Sequence, residues 1–130
     1  MKYLIDTCTY VWLMTNDQKR LSAEARAALQ SDNSTSYVSI ISQIEMTAKH
    51  FKHKIPGIAR PVIDYYKQLR IDSGIELLNL TQEDIEDTTQ LPKIHSDPFD
   101  RLLIAQAMNR GMTILTPDKK FKKYPVRVIF

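Results

Sequence analysis

HSDPFDRLLIAQAMNRGMTILTPD, residues 95–118, contains a helix and a strand whose ends are both marked. Asp97 followed by Pro98 is typical of a helix N-cap and first turn, and Gly111 is typical of the residue just after a helix. The short apolar run MTILT at 112–116 follows directly, which is the pattern of a strand buried on both faces. The segment therefore predicts a helix packed against a parallel sheet.

The same alternation of helix and buried strand extends over the rest of the chain. Further apolar or β-branched runs predict strands at 2–6, 35–40, 75–80 and 126–130. Helical patterns begin at Ser22, Ser42, about Ile58 and Thr81. Because such crossovers are right-handed and cover both faces of a sheet, the sequence predicts a three-layer α/β/α sandwich with a mainly parallel, five-stranded sheet.

Size and composition favour one soluble domain over residues 1–130. No apolar run approaches the roughly 20 residues that cross a bilayer. Asp6 interrupts the apolar N-terminus and no small-residue cleavage site follows, so we expect a cytoplasmic protein. Cys8 is the single cysteine, which excludes an internal disulfide, and we expect it to be a small buried residue. The net charge of +3 is compatible with a polyanionic partner.

Acidic residues from separate segments are predicted to meet at one edge of the sheet. Ligands of such sheets bind beyond the carboxyl ends of the strands. Asp6 ends the first strand, and Asp118 follows MTILT. Glu45 lies about one turn into the helix after the second strand, while Asp97 and Asp100 share the first turn of the last helix. We therefore expect these five side chains to lie around one site.

A cluster of unpaired carboxylates repels itself, so a cation is expected at its centre. Oxygen ligands without a histidine or cysteine set are typical of Mg²⁺, with Mn²⁺ as the other candidate. One or two such ions can activate water and stabilise charge at a phosphate, which predicts phosphodiester hydrolysis.

Each acid also has a structural interpretation. Asp97 can be a pure N-cap, and Asp100 can favour the helix dipole. Asp118 can be a turn residue, and Glu45 can be a solvated helix position. Asp6 has no evident structural role at the end of a buried strand, so the site hypothesis depends most on Asp6.

Three blocks of the chain resemble the PIN-domain family, specifically the VapC-type toxins of type II toxin–antitoxin systems. They are LIDTCTYVWLM near the start, VSIISQIEMTAKHFKHKI in the middle, and HSDPFDRLLIAQAMNRGMTILTPDKKFKKYPVRVI at the end. The resemblance covers nearly the whole length. It implies a magnesium-dependent endoribonuclease acting on RNA, a homodimer, and silencing by a cognate antitoxin protein.

The resemblance also implies residue roles. The family's four acids fall on Asp6, Glu45, Asp100 and Asp118. Asp97 stays open as the third acid in place of Asp100, and as a further candidate metal ligand, although the match favours Asp100.

Two hydroxyl residues are implied as support for the metal site. Thr116 matches the family's hydroxyl position, and Thr7 follows the first aspartate. The chain departs from the pattern at Cys8, where relatives commonly carry histidine or asparagine.

Cationic side chains lie near the same edge in sequence and are candidates for contact with RNA phosphates. They are His95, Arg101, Lys119 and Lys120. Solvated surface residues, or salt-bridge partners of the acids, are the structural alternative for each.

Three other functions compete with the nuclease hypothesis. A haloacid-dehalogenase-like phosphatase needs a second acid in D-x-D-x-T, and the segment DTCT has Cys8 at that position. A receiver-like domain needs a phosphoacceptor and a later lysine that cannot be placed. A catalytically inactive PIN-like module that binds RNA or protein is the remaining alternative, because a fold does not guarantee activity.

Overall fold

The computed structural model describes residues 1–130 and contains a five-stranded sheet in which every strand pairing is parallel. The strands are β1 (Lys2–Ile5), β2 (Thr35–Ser39), β3 (Glu76–Leu78), β4 (Thr113–Leu115) and β5 (Val128–Ile129). Their order across the sheet is β3-β2-β1-β4-β5. The predicted α/β fold with a five-stranded parallel sheet is confirmed.

Six α-helices connect and cover the strands. They are α1 (Thr7–Met14), α2 (Ala23–Gln30), α3 (Ile40–Lys52), α4 (Val62–Ser73), α5 (Gln82–Asp87) and α6 (Pro98–Arg110). Short 3₁₀ turns occupy residues 18–20, 88–90 and 119–123. None of the helices combines the length and the apolar character that crossing a bilayer requires.

Helix boundaries agree with the predictions where a capping residue marks them. Helix α6 begins after Asp97 and ends at Gly111, whose φ of 62° lies in the left-handed region that suits glycine. Helix α3 starts earlier than predicted, because Ser39 rather than Ser42 caps it. Helix α4 starts at Val62 rather than near Ile58, since Pro61 fits before a first turn but not inside a helix.

Helix α1 is the one long element that the sequence patterns did not predict. Its sequence TCTYVWLM is apolar around most of its circumference, so it shows no helical period and looks like an extension of β1. Tyr10 is fully buried in this helix, and its hydroxyl donates a 2.7 Å hydrogen bond to the backbone oxygen of Tyr66.

Both faces of the sheet are buried. Successive side chains of a strand point to opposite faces, and the apolar neighbours Leu4 and Ile5 of β1 therefore need cover on both sides. Leu4 packs with the apolar side of α6 on one face, in a cluster that includes Leu103 and Ile104. Ile5 packs on the other face with residues of α1 and α4, including Tyr10 and Tyr66. The sheet is thus held between helical layers.

The register of the central strands aligns their carboxyl ends. Ile5 pairs with Val38 of β2 on one side and with Leu115 of β4 on the other. The residues that follow these strands therefore emerge side by side at one edge. Because the chain order reverses between β1 and β4, a crevice opens there, which is the usual ligand position in such sheets.

Candidate functional site

A pocket of about 320 Å³ lies at the carboxyl edge of β1 and β4. All five acids predicted to converge line this pocket, although they come from separate segments. The lining residues are Asp6, Thr7, Cys8, Glu45, Lys49, Asp97, Asp100, Pro117, Asp118 and Phe121.

Asp6 is buried and fixed through both carboxylate oxygens. The Thr9 N–H donates to Oδ1 over 2.8 Å, which makes Asp6 the N-cap of α1. The Thr116 hydroxyl donates to Oδ2 over 2.6 Å. The expectation that Asp6 has no structural role is therefore wrong: it caps a helix that the sequence patterns did not reveal. Burial raises the pKa of this carboxyl above its usual range.

Glu45 is 9% exposed on α3, and its Oε1 atom receives no hydrogen bond. The only cation near the carboxylate is Lys49, whose Nζ lies 3.4 Å from Oε2 and whose side chain is largely exposed. Lys49 also lines the pocket, and the sequence analysis missed it. Its spacing of four residues from Glu45 on one helix was the pattern that could have revealed it.

Asp97 and Asp100 lie in the first turn of α6, where a helix cap and a metal ligand were both predicted. Asp97 Oδ1 accepts from the Phe99 N–H over 2.8 Å and from the Asp100 N–H over 3.4 Å, so its helix-capping role is present. Asp100 Oδ2 faces His95, whereas its Oδ1 receives no hydrogen bond from the protein. Each of the two acids thus keeps one carboxylate oxygen without a donor from the protein, and both stay candidates for the third acid.

The pKa of Asp100 is raised from 3.8 to about 7. Burial is the largest cause, and the negative charges of Asp97, Glu45, Asp6 and Asp118 add to it. A carboxylate that is this costly to ionise indicates a site that lacks enough positive charge of its own.

This pKa shift predicts how stability depends on pH when no metal is bound. Between pH 4 and 7 the folded protein binds a proton at Asp100 that the unfolded chain has released, so the free energy of unfolding should fall as pH rises through this range. Urea unfolding in a chelating buffer from pH 4 to 8 would measure the slope. The exposed control Asp64→Asn should keep the wild-type slope and Asp100→Asn should flatten it; an equal slope in both variants would contradict the assignment.

Asp118 begins the 3₁₀ turn after β4, and its Oδ1 accepts from the Lys120 N–H over 2.9 Å. Its own N–H donates to Thr116 Oγ1 over 3.1 Å. Because the same hydroxyl donates to Asp6, Thr116 links the first acid to the fourth. Thr7 is buried and donates instead to Ser42 Oγ, so it supports α3 rather than contacting an acid.

His95 is 9% exposed and lies directly against two of the acids. Its Nε2 atom is 2.8 Å from Asp100 Oδ2 and 3.3 Å from Asp118 Oδ2. The possible ligand atoms of these three residues all lie within 4.8 Å of one another, a spacing that fits a metal-binding group. His95 therefore contacts the acids, which is the structural alternative considered for it, and its contact with RNA phosphates stays a prediction.

Arg101 lines a neighbouring pocket beside the acids, but its guanidinium is largely bonded to the protein, so its contact with RNA phosphates stays a prediction. Its guanidinium donates to the backbone oxygens of Thr88, Leu91 and Pro92 and approaches the Tyr124 hydroxyl. These four contacts come from its two terminal nitrogens, and it forms no ion pair with an acid.

The two lysines stay accessible. Lys120 lines the same neighbouring pocket, of about 430 Å³, together with Lys93, Ile94, His95, Ser96 and Arg101. Lys119 is exposed and lines neither this pocket nor the acidic one. Cys8 is exposed beside the acids, which corrects the expectation of a buried residue: it lies on the side of α1 that faces the pocket.

The acidic pocket fits a hard divalent cation. Its acids offer carboxylate oxygens, which Mg²⁺ and Mn²⁺ prefer. The buried Glu45 Oε1 has no partner in the protein, an arrangement that costs free energy unless a cation or water occupies the space. The single positive charge of Lys49, which lies next to Glu45 Oε2, does not neutralise the negative charge of the remaining carboxylates.

Comparison with known proteins identifies one family and several similar folds. The sequence matches the model of the PIN domain over residues 3–126. The fold is similar to VapBC2 from Rickettsia felis bound to a fragment of promoter DNA, with TM-score 0.71, 20% identity, and coverage of 99% of this chain and 98% of that one. It is also similar to DNA-bound VapBC from Salmonella typhimurium, with TM-score 0.69, 19% identity, and coverage of 99% and 97%.

A third similar structure is VapBC-1 from nontypeable Haemophilus influenzae, with TM-score 0.64, 14% identity, and coverage of 99% and 97%. No curated protein sequence matches the chain. At these identities the structural likeness shows a shared fold over nearly the full length of each chain.

Proposed function

Because the chain belongs to the PIN domain family, we propose that it is a divalent-metal-dependent endoribonuclease that hydrolyses phosphodiester bonds in RNA. The observation that carries this proposal is the meeting of acids from separate segments around one pocket, with Glu45 Oε1 buried and unpartnered. Repulsion between the carboxylates makes such a site unfavourable unless a cation is bound. A divalent cation held by carboxylates can in turn promote hydrolysis of a phosphodiester bond.

Asp6, Glu45, Asp100 and Asp118 are the proposed ligands of Mg²⁺ or Mn²⁺, with Asp97 as a further candidate through its free Oδ2. When bound, the ion supplies the positive charge that activates water and neutralises charge developing on the scissile phosphate. Thr116 orients two of these ligands through its hydroxyl.

The protein surface next to the acids carries positive charge that can bind the RNA phosphates on either side of the cleavage site. Lys93 and Lys120 lie around the neighbouring pocket, so phosphates flanking the scissile one can bind there while the acids hold the metal. Lys119 adds positive charge nearby. Contacts with phosphates position RNA without specifying its sequence.

We also propose that this single domain is the toxin of a type II toxin–antitoxin pair, acting as a cytoplasmic homodimer. The support for the toxin role is the similarity of fold to three VapBC proteins, two of which are described bound to DNA. A cognate antitoxin would then silence the nuclease by covering the acidic pocket.

Incubation of the purified, metal-stripped protein with single-stranded RNA tests the nuclease proposal. We expect no cleavage in EDTA, and internal cleavage when Mg²⁺ or Mn²⁺ is added at millimolar concentration. Cleavage that continues unchanged in EDTA would contradict the proposal. RNA binding without cleavage under any metal condition would instead support the inactive PIN-like module.

A further inference from the structure

His95 is held rigidly from three directions. Its backbone N–H donates a 2.7 Å hydrogen bond to the Tyr124 hydroxyl, and its ring forms a T-shaped pair with that of Phe121, with centroids 5.8 Å apart and planes at 88°. On the ring itself, Nδ1 accepts from the Asp97 N–H over 3.4 Å. Together these contacts fix the orientation of the imidazole ring.

The contact at Nδ1 fixes the position of the ring proton. Because Nδ1 accepts a hydrogen bond, the neutral imidazole carries its proton on Nε2. That atom lies 2.8 Å from Asp100 and 3.3 Å from Asp118, but it is well aligned for a hydrogen bond with neither carboxylate. The Nε2–H group therefore lies between the two carboxylates and close to both, without a well-aligned hydrogen bond to either.

We propose that His95 is a positioning residue for the metal site, which holds the carboxylates of Asp100 and Asp118 at the separation that a divalent ion needs. The inference rests on the proposed metal-dependent function. Asp100 belongs to α6 and Asp118 to the turn after β4, so repulsion between them would drive two separate elements apart. The positive end of the Nε2–H group lies between the two carboxylates, so its electrostatic attraction to both opposes this repulsion, and it leaves Asp100 Oδ1 free.

Direct ligation of the metal by His95 is the competing role. It would require the lone pair of Nε2, which moves the ring proton to Nδ1. The Asp97 N–H already points at Nδ1, so two donors would then face each other. The arrangement around the ring thus favours a histidine that binds the ligands rather than the ion.

A matched pair of substitutions measures the positioning role without relying on activity. Glutamine and methionine have similar length and volume, but only glutamine offers an N–H group near the position of Nε2. Titration calorimetry with Mn²⁺ should show that His95→Met weakens binding by about 10- to 100-fold, while His95→Gln keeps most of the affinity. His53→Met, at an exposed histidine beyond α3, should bind Mn²⁺ like the wild type.

The outcomes separate this inference from the proposed function. Absence of Mn²⁺ binding by the wild type would contradict the metal site altogether. Normal binding by the wild type and equally tight binding by His95→Met would overturn the positioning role alone. Pulsed electron paramagnetic resonance of wild-type protein with Mn²⁺ gives a test that needs no variant to fold: a directly bonded nitrogen would show that His95 is a ligand, and we expect none.

Discussion

Replacement of Asp6 by asparagine is expected to abolish RNA cleavage while leaving the fold intact. Asparagine keeps an oxygen that can accept the Thr9 N–H, so the cap of α1 survives. What is lost is one negative charge at the centre of the pocket, together with the oxygen that accepts from the Thr116 hydroxyl. A metal ion that stabilises the transition state by about 4 kcal/mol speeds the reaction by about 10³-fold. Loss of that ion from the Asp6→Asn protein therefore lowers the rate of cleavage by the same factor.

Cleavage of a fluorescent single-stranded RNA by matched preparations would measure the loss. Asp32→Asn is the control, because it makes the same chemical change at an exposed residue before β2, away from the acidic pocket. Inducible expression of the same variants, with mapping of RNA 5′ ends, extends the test to cells. Asp6→Asn protein that cleaves RNA at the wild-type rate would show that the activity comes from another site or from a contaminant.

The placement of the acids was predictable because it depends on where strands end. Short buried strands can be recognised from their apolar residues, and parallel pairing brings their carboxyl ends to one edge. Asp6 and Asp118 follow two strands that are neighbours in the sheet, so their proximity followed from the topology alone. Asp97 and Pro98 likewise fixed the start of α6 through local chemistry.

The roles of His95 and Arg101 were not predictable, because they depend on contacts between distant segments. The three carbonyl groups that bind Arg101 belong to the turn at 88–92, whose conformation leaves no pattern in the sequence. His95 could be placed near the acids, but its burial follows from Phe121 and Tyr124, which lie more than 20 residues further along the chain.

Helix α1 shows how one missed element changes the interpretation of a neighbouring residue. Without it, Asp6 seemed to have no structural role, and Cys8 was expected to be a small buried residue. With it, Asp6 is an N-cap as well as a candidate ligand, and Cys8 is turned towards the pocket. The same carboxylate therefore serves the local fold and the proposed chemistry.

A second charged cluster, away from the pocket, joins α5 to α6. Asp84 is 1% exposed, and Arg110 donates to its Oδ1 over 2.8 Å and to its Oδ2 over 2.9 Å. Asn109 and the Thr81 N–H each add a bond of 3.0 Å. Burial opposes ionisation of Asp84, but these bonds, led by those from Arg110, hold the pKa of the carboxyl below its usual range.

Replacement of Arg110 by methionine is expected to destabilise the protein by about 3 kcal/mol, because it leaves the Asp84 charge buried without its main partner. Urea unfolding at pH 7 would measure the change against Arg127→Met, an exposed arginine in no ion pair, which should lose less than about 0.5 kcal/mol. The double variant Asp84→Asn/Arg110→Met should recover part of the loss, since the unpaired charge is gone. A loss below about 1 kcal/mol for Arg110→Met would mean that Asn109 and the Thr81 N–H suffice to stabilise Asp84.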